Sequence, residues 1–267
     1  MSSSAPPATE GALEHVRGFV FDLDGCVWNG HTLNPGAHDT LTRLVAAGRR
    51  IAFLTNNSRA TAADILTRLH ALGVEVAEHA FTPLEILGRV ITEQFGASRV
   101  LAIGAPELSA VIAQAGHTLV GVKDYADATV VAVGNDFDLT YERLTVAARV
   151  AARTGRLVTP NVDPRLPVEG GEFLPGCGAL VAAVAAAAGV EPLVVGKPEP
   201  PLFRMALARL GLTPADAAMV GDSVSSDIRG GRNVGMRTVL YAPDAAASPE
   251  ADLTIRSFAD LARLAGV

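Results

Sequence analysis

Cysteine is scarce in this chain: Cys26 and Cys177 are the two in 267 residues. Two thiols cannot make a disulfide framework, and a reduced, cytoplasmic compartment is the plain reading. There is no CxxC and no HExxH, so no zinc spacing is present. A basic excess is also missing. There are 22 Lys and Arg against 28 Asp and Glu, a formal net charge of −6. That balance argues against nonspecific nucleic-acid or anionic-membrane binding, which want a basic face. It leaves an anionic substrate open, because one cation and one lysine can reverse the sign locally. No apolar run is long enough to span a bilayer. The most apolar one, Ala179–Val190, is bounded by Gly178 and Pro192 and reads as a buried alanine-rich helix. The start, MSSSAPPATEGA, has neither a basic nor an apolar signal region, so residues 1–12 are expected to be a flexible lead-in.

What is present is an alternation of short apolar runs with helical ones. Candidate strands are Gly18–Asp22, Arg50–Thr55, Arg99–Ile103, Thr129–Val133, Leu157–Thr159, Leu193–Val195, Ala218–Gly221 and Thr238–Tyr241. They are continuous rather than alternating, as in strands covered by helices on both faces. Ala37–Ala47, Ala60–Leu72 and Leu202–Leu210 carry helical spacing and stop at Gly48, Gly73 and Gly211. The pattern implies an α/β protein with parallel sheets. The length suggests about two domains. No Gly/Ser linker separates halves, so a second domain is expected to be inserted in the first.

Four strand ends carry polar chemistry. FVFDLDGCVW delivers Asp22 and Asp24, two apart, at a glycine turn; on a strand they share a face, and in a solvated turn they are ordinary turn residues. FLTNNSR offers Thr55 and Asn56, with Ser58 a plausible cap for the following helix. LVVGKPEP places Lys197 after a glycine; it fails the P-loop pattern because Pro198 follows, and alone it reads as a surface charge. MVGDSVSSDIRGG sets Asp222 and Asp227 around a short loop, which suits a hard divalent cation or, more blandly, a helix start.

In that order, D-x-D, Thr, Lys and GD-x4-D, the set resembles the haloacid dehalogenase-like (HAD) phosphotransferase superfamily. DLDGCVW, LTNNS, VGKP and GDSVSSDI look like its branch of p-nitrophenylphosphatase, phosphoglycolate phosphatase and NagD-type enzymes. The resemblance implies a Rossmann-like parallel-sheet core over 13–82 and 193–267, with an inserted α/β cap over 83–192. It also implies a Mg²⁺-dependent phosphatase acting on a small phosphorylated metabolite. Asp22 would be the nucleophile that becomes an aspartyl-phosphate, and Asp24 the general acid and base. Mg²⁺ would be held by Asp22, Asp222, the backbone carbonyl at Asp24, and Asp227 directly or through water. Thr55 and Asn56 would bind the phosphoryl group, and Lys197 would offset its charge.

The cap would exclude water and read the leaving group. The family's cap loop usually reads N-P-D, where this chain has Thr159-Pro160-Asn161-Val162-Asp163, making Asn161 and Asp163 candidate substrate contacts. PGCGAL (Pro175–Leu180) resembles the family's PGxGA segment. Homodimers through the cap occur in related proteins, and one is a candidate here. No arginine follows either cysteine at the spacing of a thiolate phosphatase, so both thiols are expected to be inert. A phosphomutase, or a binding protein that has lost catalysis, is the alternative reading.

Overall fold

The computed structural model describes residues 11–167 and 172–267. Of the expected lead-in at 1–12, residues 1–10 lie outside them, while Gly11 and Ala12 belong to a turn, closed by the Glu14 N–H on the Gly11 carbonyl, and Leu13 is fully buried. The chain divides into two compact units. One comprises Met1–Thr55, Ala62–Phe81 and Lys197–Val267; the other comprises Asn56–Thr61 and Thr82–Gly196.

The first unit is built on a six-stranded sheet. Its strands are β1 (Gly18–Phe21), β4 (Arg50–Leu54), β5 (Ala80–Phe81), β13 (Ala217–Gly221), β14 (Arg237–Tyr241) and β15 (Leu253–Ile255). The order is β15-β14-β13-β1-β4-β5, and every pairing is parallel. Its helices are α1 (Ala37–Ala46), α2 (Ala62–Ala71), α7 (Pro200–Leu210), α8 (Arg229–Val234) and α9 (Phe258–Ala265). β1 is buried at all four positions, which explains its unbroken apolar sequence. Phe21 packs on Phe53 of β4 and Phe258 of α9, with centroids 6.1 and 6.4 Å apart. After β1 a short antiparallel hairpin forms from β2 (Trp28–Asn29) and β3 (Thr32–Leu33).

The second unit has a five-stranded sheet of β6 (Arg99–Ile103), β7 (Thr118–Val120), β8 (Val130–Val133), β9 (Leu157–Thr159) and β12 (Leu193–Val194), ordered β12-β9-β8-β6-β7 and again parallel. Its helices are α3 (Leu84–Phe95), α4 (Pro106–Gln114), α5 (Tyr141–Thr154) and α6 (Cys177–Ala188), and β10 (Arg165–Pro167) pairs antiparallel with β11 (Phe173–Pro175). Two expectations change here. Leu193–Val195, placed with the first unit by the family resemblance, instead falls in the second and supplies β12, because Leu193 and Val194 pair with Val158 and Thr159. The alanine-rich helix is not buried throughout. α6 buries Cys177, Gly178, Val181 and Val184, while Ala182, Ala183, Ala186 and Ala187 are exposed. Alanine is apolar enough to read as core yet small enough to face water at little penalty. Among the described residues no helix is long and apolar enough to cross a membrane.

Candidate active site

β13, β1 and β4 lie side by side, and register carries their ends to one edge of the sheet. Phe21 of β1 stands level with Val220 on one side and Phe53 on the other. The next residues of each strand, Asp22, Gly221–Asp222 and Leu54–Thr55, therefore emerge together at the carboxyl edge. That edge is where open α/β sheets bind ligands. The Asp22 N–H still donates to the Val220 carbonyl (2.8 Å), and the Thr55 N–H donates to the Phe81 carbonyl (3.1 Å), so the backbone is fixed just where the side chains depart.

Lys197 ties these ends together. Its Nζ donates to Asp22 Oδ1 at 2.5 Å, Asp227 Oδ1 at 2.7 Å and the Leu54 carbonyl at 3.2 Å. Asp22, Lys197 and Asp227 are 6%, 3% and 0% exposed, so these ion pairs are almost wholly withdrawn from water. A lysine goes there only because its partners are charged. Burial alone would depress the ammonium's pKa; Asp22 and Asp227 outweigh it and raise the pKa, so the charge is retained. Burial pushes the Asp22 carboxyl well up, the charges of Asp227 and Asp222 act the same way, and Lys197 opposes them. Asp222, whose residue surface is largely open to solvent, is raised in the same sense, first by loss of hydration around its carboxyl and then by Asp227. Acids pushed up together mark a place that lacks positive charge.

One oxygen from each of Asp22, Asp222 and Asp227 lies within 4.8 Å of the others. Two glycines permit this. A Cβ on Gly25 would overlap the Asp222 carboxylate, and one on Gly221 would overlap that of Asp227. Gly25 also has φ 89°, which favours glycine by itself. Asp227 lies in a single wide turn, Val224–Ile228, and its Oδ2 accepts the Ser223 N–H at 3.0 Å. It is not a helix cap; Ser223 is, its hydroxyl accepting the Ser226 N–H at 3.3 Å.

Asp24 departs from the expected shared face with Asp22, because the strand stops at Phe21. It lies in the turn beyond, exposed, and its carboxylate is not among the three clustered acids. Its Oδ1 accepts the Trp28 indole N–H at 2.8 Å. Thr55 is buried at the end of β4. Ser58 does not cap α2, which starts four residues later; its Oγ is buried with no hydrogen-bond partner among the described residues.

Asn56 falls in the second unit with Asn161 and Asp163. Asn161 Nδ2 donates to the Asn56 carbonyl (2.7 Å), its Oδ1 accepts the Asp163 N–H (3.1 Å), and Asn56 Nδ2 donates to Asp163 Oδ2 (3.2 Å). These amides close the loop after β9. The PGCGAL segment packs straight onto it. The Gly178 N–H donates to the Asp163 carbonyl (2.9 Å), and a Cβ on Gly178 would overlap the Val162 carbonyl. Cys177 starts α6 beneath the loop, 3.3 Å from the Thr159 hydroxyl, and burial raises its thiol to about 11. Cys26 is likewise buried and raised, first by burial and then by Asp22.

Residues the sequence did not single out include Trp28, the Leu54 carbonyl, Gly25 and the Ser223 amide. The glycines beside Asp24 and Asp222 were the available signal, since a glycine abutting an acid at a strand end marks close approach.

Comparison with known proteins identifies the family. Residues 19–118 match the family described as haloacid dehalogenase-like hydrolase, and residues 194–261 match one described as HAD-hydrolase-like. Chronophin of Mus musculus is 35% identical over 87% of this chain and 83% of its own length. A glycerol-3-phosphate phosphatase of Gallus gallus is 36% identical over 85% of this chain and 80% of its own. A crystal structure of 4-nitrophenylphosphatase from Thermotoga maritima superposes with TM-score 0.84 at 29% identity, covering 95% of this chain and 99% of that one. The chain belongs to the haloacid dehalogenase-like hydrolases, within their branch of enzymes acting on phosphoric monoesters.

Proposed function

We propose that the protein hydrolyses phosphomonoesters of small metabolites through an aspartyl-phosphate on Asp22, with Mg²⁺ bound by the clustered acids. The observation that carries the reading is the Lys197 ammonium held between Asp22 and Asp227 at the carboxyl edge. Three carboxylates with oxygens within 4.8 Å of one another fit a hard cation that prefers oxygen donors. The nearby thiol of Cys26 does not compete, because burial keeps it protonated and it points at the Val220 carbonyl, 3.8 Å away. Asp22 and Asp222 would hold the cation. Asp227 already receives Lys197 on one oxygen and the Ser223 amide on the other, which suits it to anchor the lysine and reach the ion through water.

When bound, the cation supplies positive charge to the phosphoryl oxygens. Asp22 attacks phosphorus, and the bond from phosphorus to the leaving oxygen breaks as Asp24 gives that oxygen a proton. A water molecule then attacks the phosphoryl group, Asp24 takes its proton, and Asp22 is released as a carboxylate with inorganic phosphate. Lys197 keeps Asp22 oriented and stabilises the charge that collects on the transferring group. Thr55 offers its hydroxyl to a phosphoryl oxygen.

The test is turnover of p-nitrophenyl phosphate, expected to vanish with chelator and return with Mg²⁺. Hydrolysis of a chiral phosphorothioate ester in isotopically labelled water should proceed with retention of configuration at phosphorus, because attack by Asp22 and then by water each inverts it. Inversion at phosphorus means a single direct attack by water and ends the covalent reading.

A further inference from the structure

Asp24 is exposed, yet its carboxylate is not left to rotate. Trp28, four residues on and fully buried, donates its indole N–H to Asp24 Oδ1 at 2.8 Å. A bond from N–H to a carboxylate is among the stronger neutral-donor types and fixes a rotamer as well as satisfying the donor. A buried indole needs some acceptor, so the pairing could be mere satisfaction. The backbone of this turn argues for more. The Leu23 carbonyl already takes the Cys26 and Trp28 amides, and the Trp28 carbonyl takes the Gly25 amide. The Gly25 and Cys26 carbonyls are taken by Asn34 Nδ2 at 3.3 and 2.6 Å. The Gly25, Cys26 and Trp28 carbonyls each keep a second lone pair, yet the indole bonds to a side chain, and that side chain is Asp24. The ring is itself clamped. The Arg68 guanidinium lies over it, 4.0 Å from the centroid, and also donates to the Gly30 carbonyl. Trp28 further pairs with Leu33 in the β2–β3 hairpin.

We infer that Trp28 is a positioning residue for the proton-transfer carboxylate: its indole N–H occupies Asp24 Oδ1, so that Oδ2 is the oxygen that gives and takes the proton. This rests on the reading of Asp24 as general acid given above. Oδ1, filled by a donor, cannot itself carry a proton towards that donor. The leaving oxygen therefore meets one defined oxygen rather than a freely turning pair, and the gain is orientational.

The experiment compares kcat/KM for p-nitrophenyl phosphate and phenyl phosphate. The two share a ring, but phenolate is the poorer leaving group and depends more on protonation. Trp28→Phe should lower kcat/KM for phenyl phosphate about tenfold more than for p-nitrophenyl phosphate. An equal loss on the two, or a gain on either, overturns the inference. Should Trp28→Phe fold poorly, the sole tryptophan of the chain allows a cleaner change. Biosynthetic replacement by the benzothiophene analogue keeps the ring's shape and removes only the N–H, and the same ratio is expected. Asp24→Asn is the reference. If it shows the leaving-group dependence and Trp28→Phe does not, Trp28 loses its assignment while Asp24 keeps its own. If Asp24→Asn affects the two esters equally, the acid reading falls and this inference with it.

Discussion

The carboxyl edges of the two parallel sheets are built by different means. In the first unit the edge is held by charge: Lys197 between Asp22 and Asp227, almost dry. In the second it is held by two amides, one half-buried carboxylate and bare backbone: Asn56, Asn161 and Asp163 knit one loop, and Gly178 lets α6 approach it without a side chain between. A charged edge is costly to desolvate and tolerates no missing partner. An amide edge is cheaper and can change its loop without leaving a buried charge behind. Under the proposed function, the chemistry that must stay fixed is on the first edge, and the second is the one suited to variation.

The sharpest way to break this contrast is Lys197→Met. It leaves Asp22 and Asp227 buried beside each other without a counter-charge, so stability should fall by about 3–5 kcal/mol. Turnover of p-nitrophenyl phosphate should fall by roughly 10²–10³-fold or more. Urea unfolding and steady-state rates measure the two, and near-normal stability would show the charged edge to be less dependent than argued. Next is Gly221→Ala, which drives a methyl into the Asp227 carboxylate. We expect kcat/KM to drop by roughly 10²-fold through displaced electrostatics, together with a higher Mg²⁺ requirement in a cation titration.

Gly178→Ala is the matching change on the amide edge. Its methyl meets the Val162 backbone, and overpacking of this kind costs about 1–3 kcal/mol. Its thermal transition should drop, while its Mg²⁺ requirement stays that of the unaltered protein; a shifted requirement would erase the distinction between the edges. The smallest effect concerns Cys177. With its thiol raised to about 11, native protein at pH 8 should resist iodoacetamide, and the rate should climb about tenfold per pH unit above that. Prompt labelling of folded protein at pH 8 would contradict the buried placement.

Some of this was legible in the chain and some was not, for identifiable reasons. Arg99–Ile103 and Leu157–Thr159 form strands with the expected bounds because each is a dense apolar run between turns. β2, β5 and β10 are two or three residues long, too short to show any period. Asp22, Asp222 and Lys197 stood out as charges at the ends of apolar runs, and the structure gathers Asp22, Lys197 and Asp227 into direct contact, with Asp222 beside them. The burial of Lys197 could not be read locally, since it depends on acids 175 and 30 positions away. The Asp24–Trp28 bond was invisible because it belongs to an irregular turn, where no periodicity says which side chains meet. Ser58 misled because a serine ahead of a helical run is usually its cap, and here the helix begins later.

The second unit is not one unbroken cassette. Residues 56–61 belong to it, then the chain returns to the first unit for Ala62–Phe81 before departing again at Thr82. Anyone grafting an alternative specificity module onto this scaffold would have to transplant that short stretch along with the main insertion, because Asn56 is bonded to Asn161 and Asp163. Two of the required splice junctions fall directly beside Thr55 and Lys197, so recombination of this architecture is confined to cuts that leave those neighbours undisturbed.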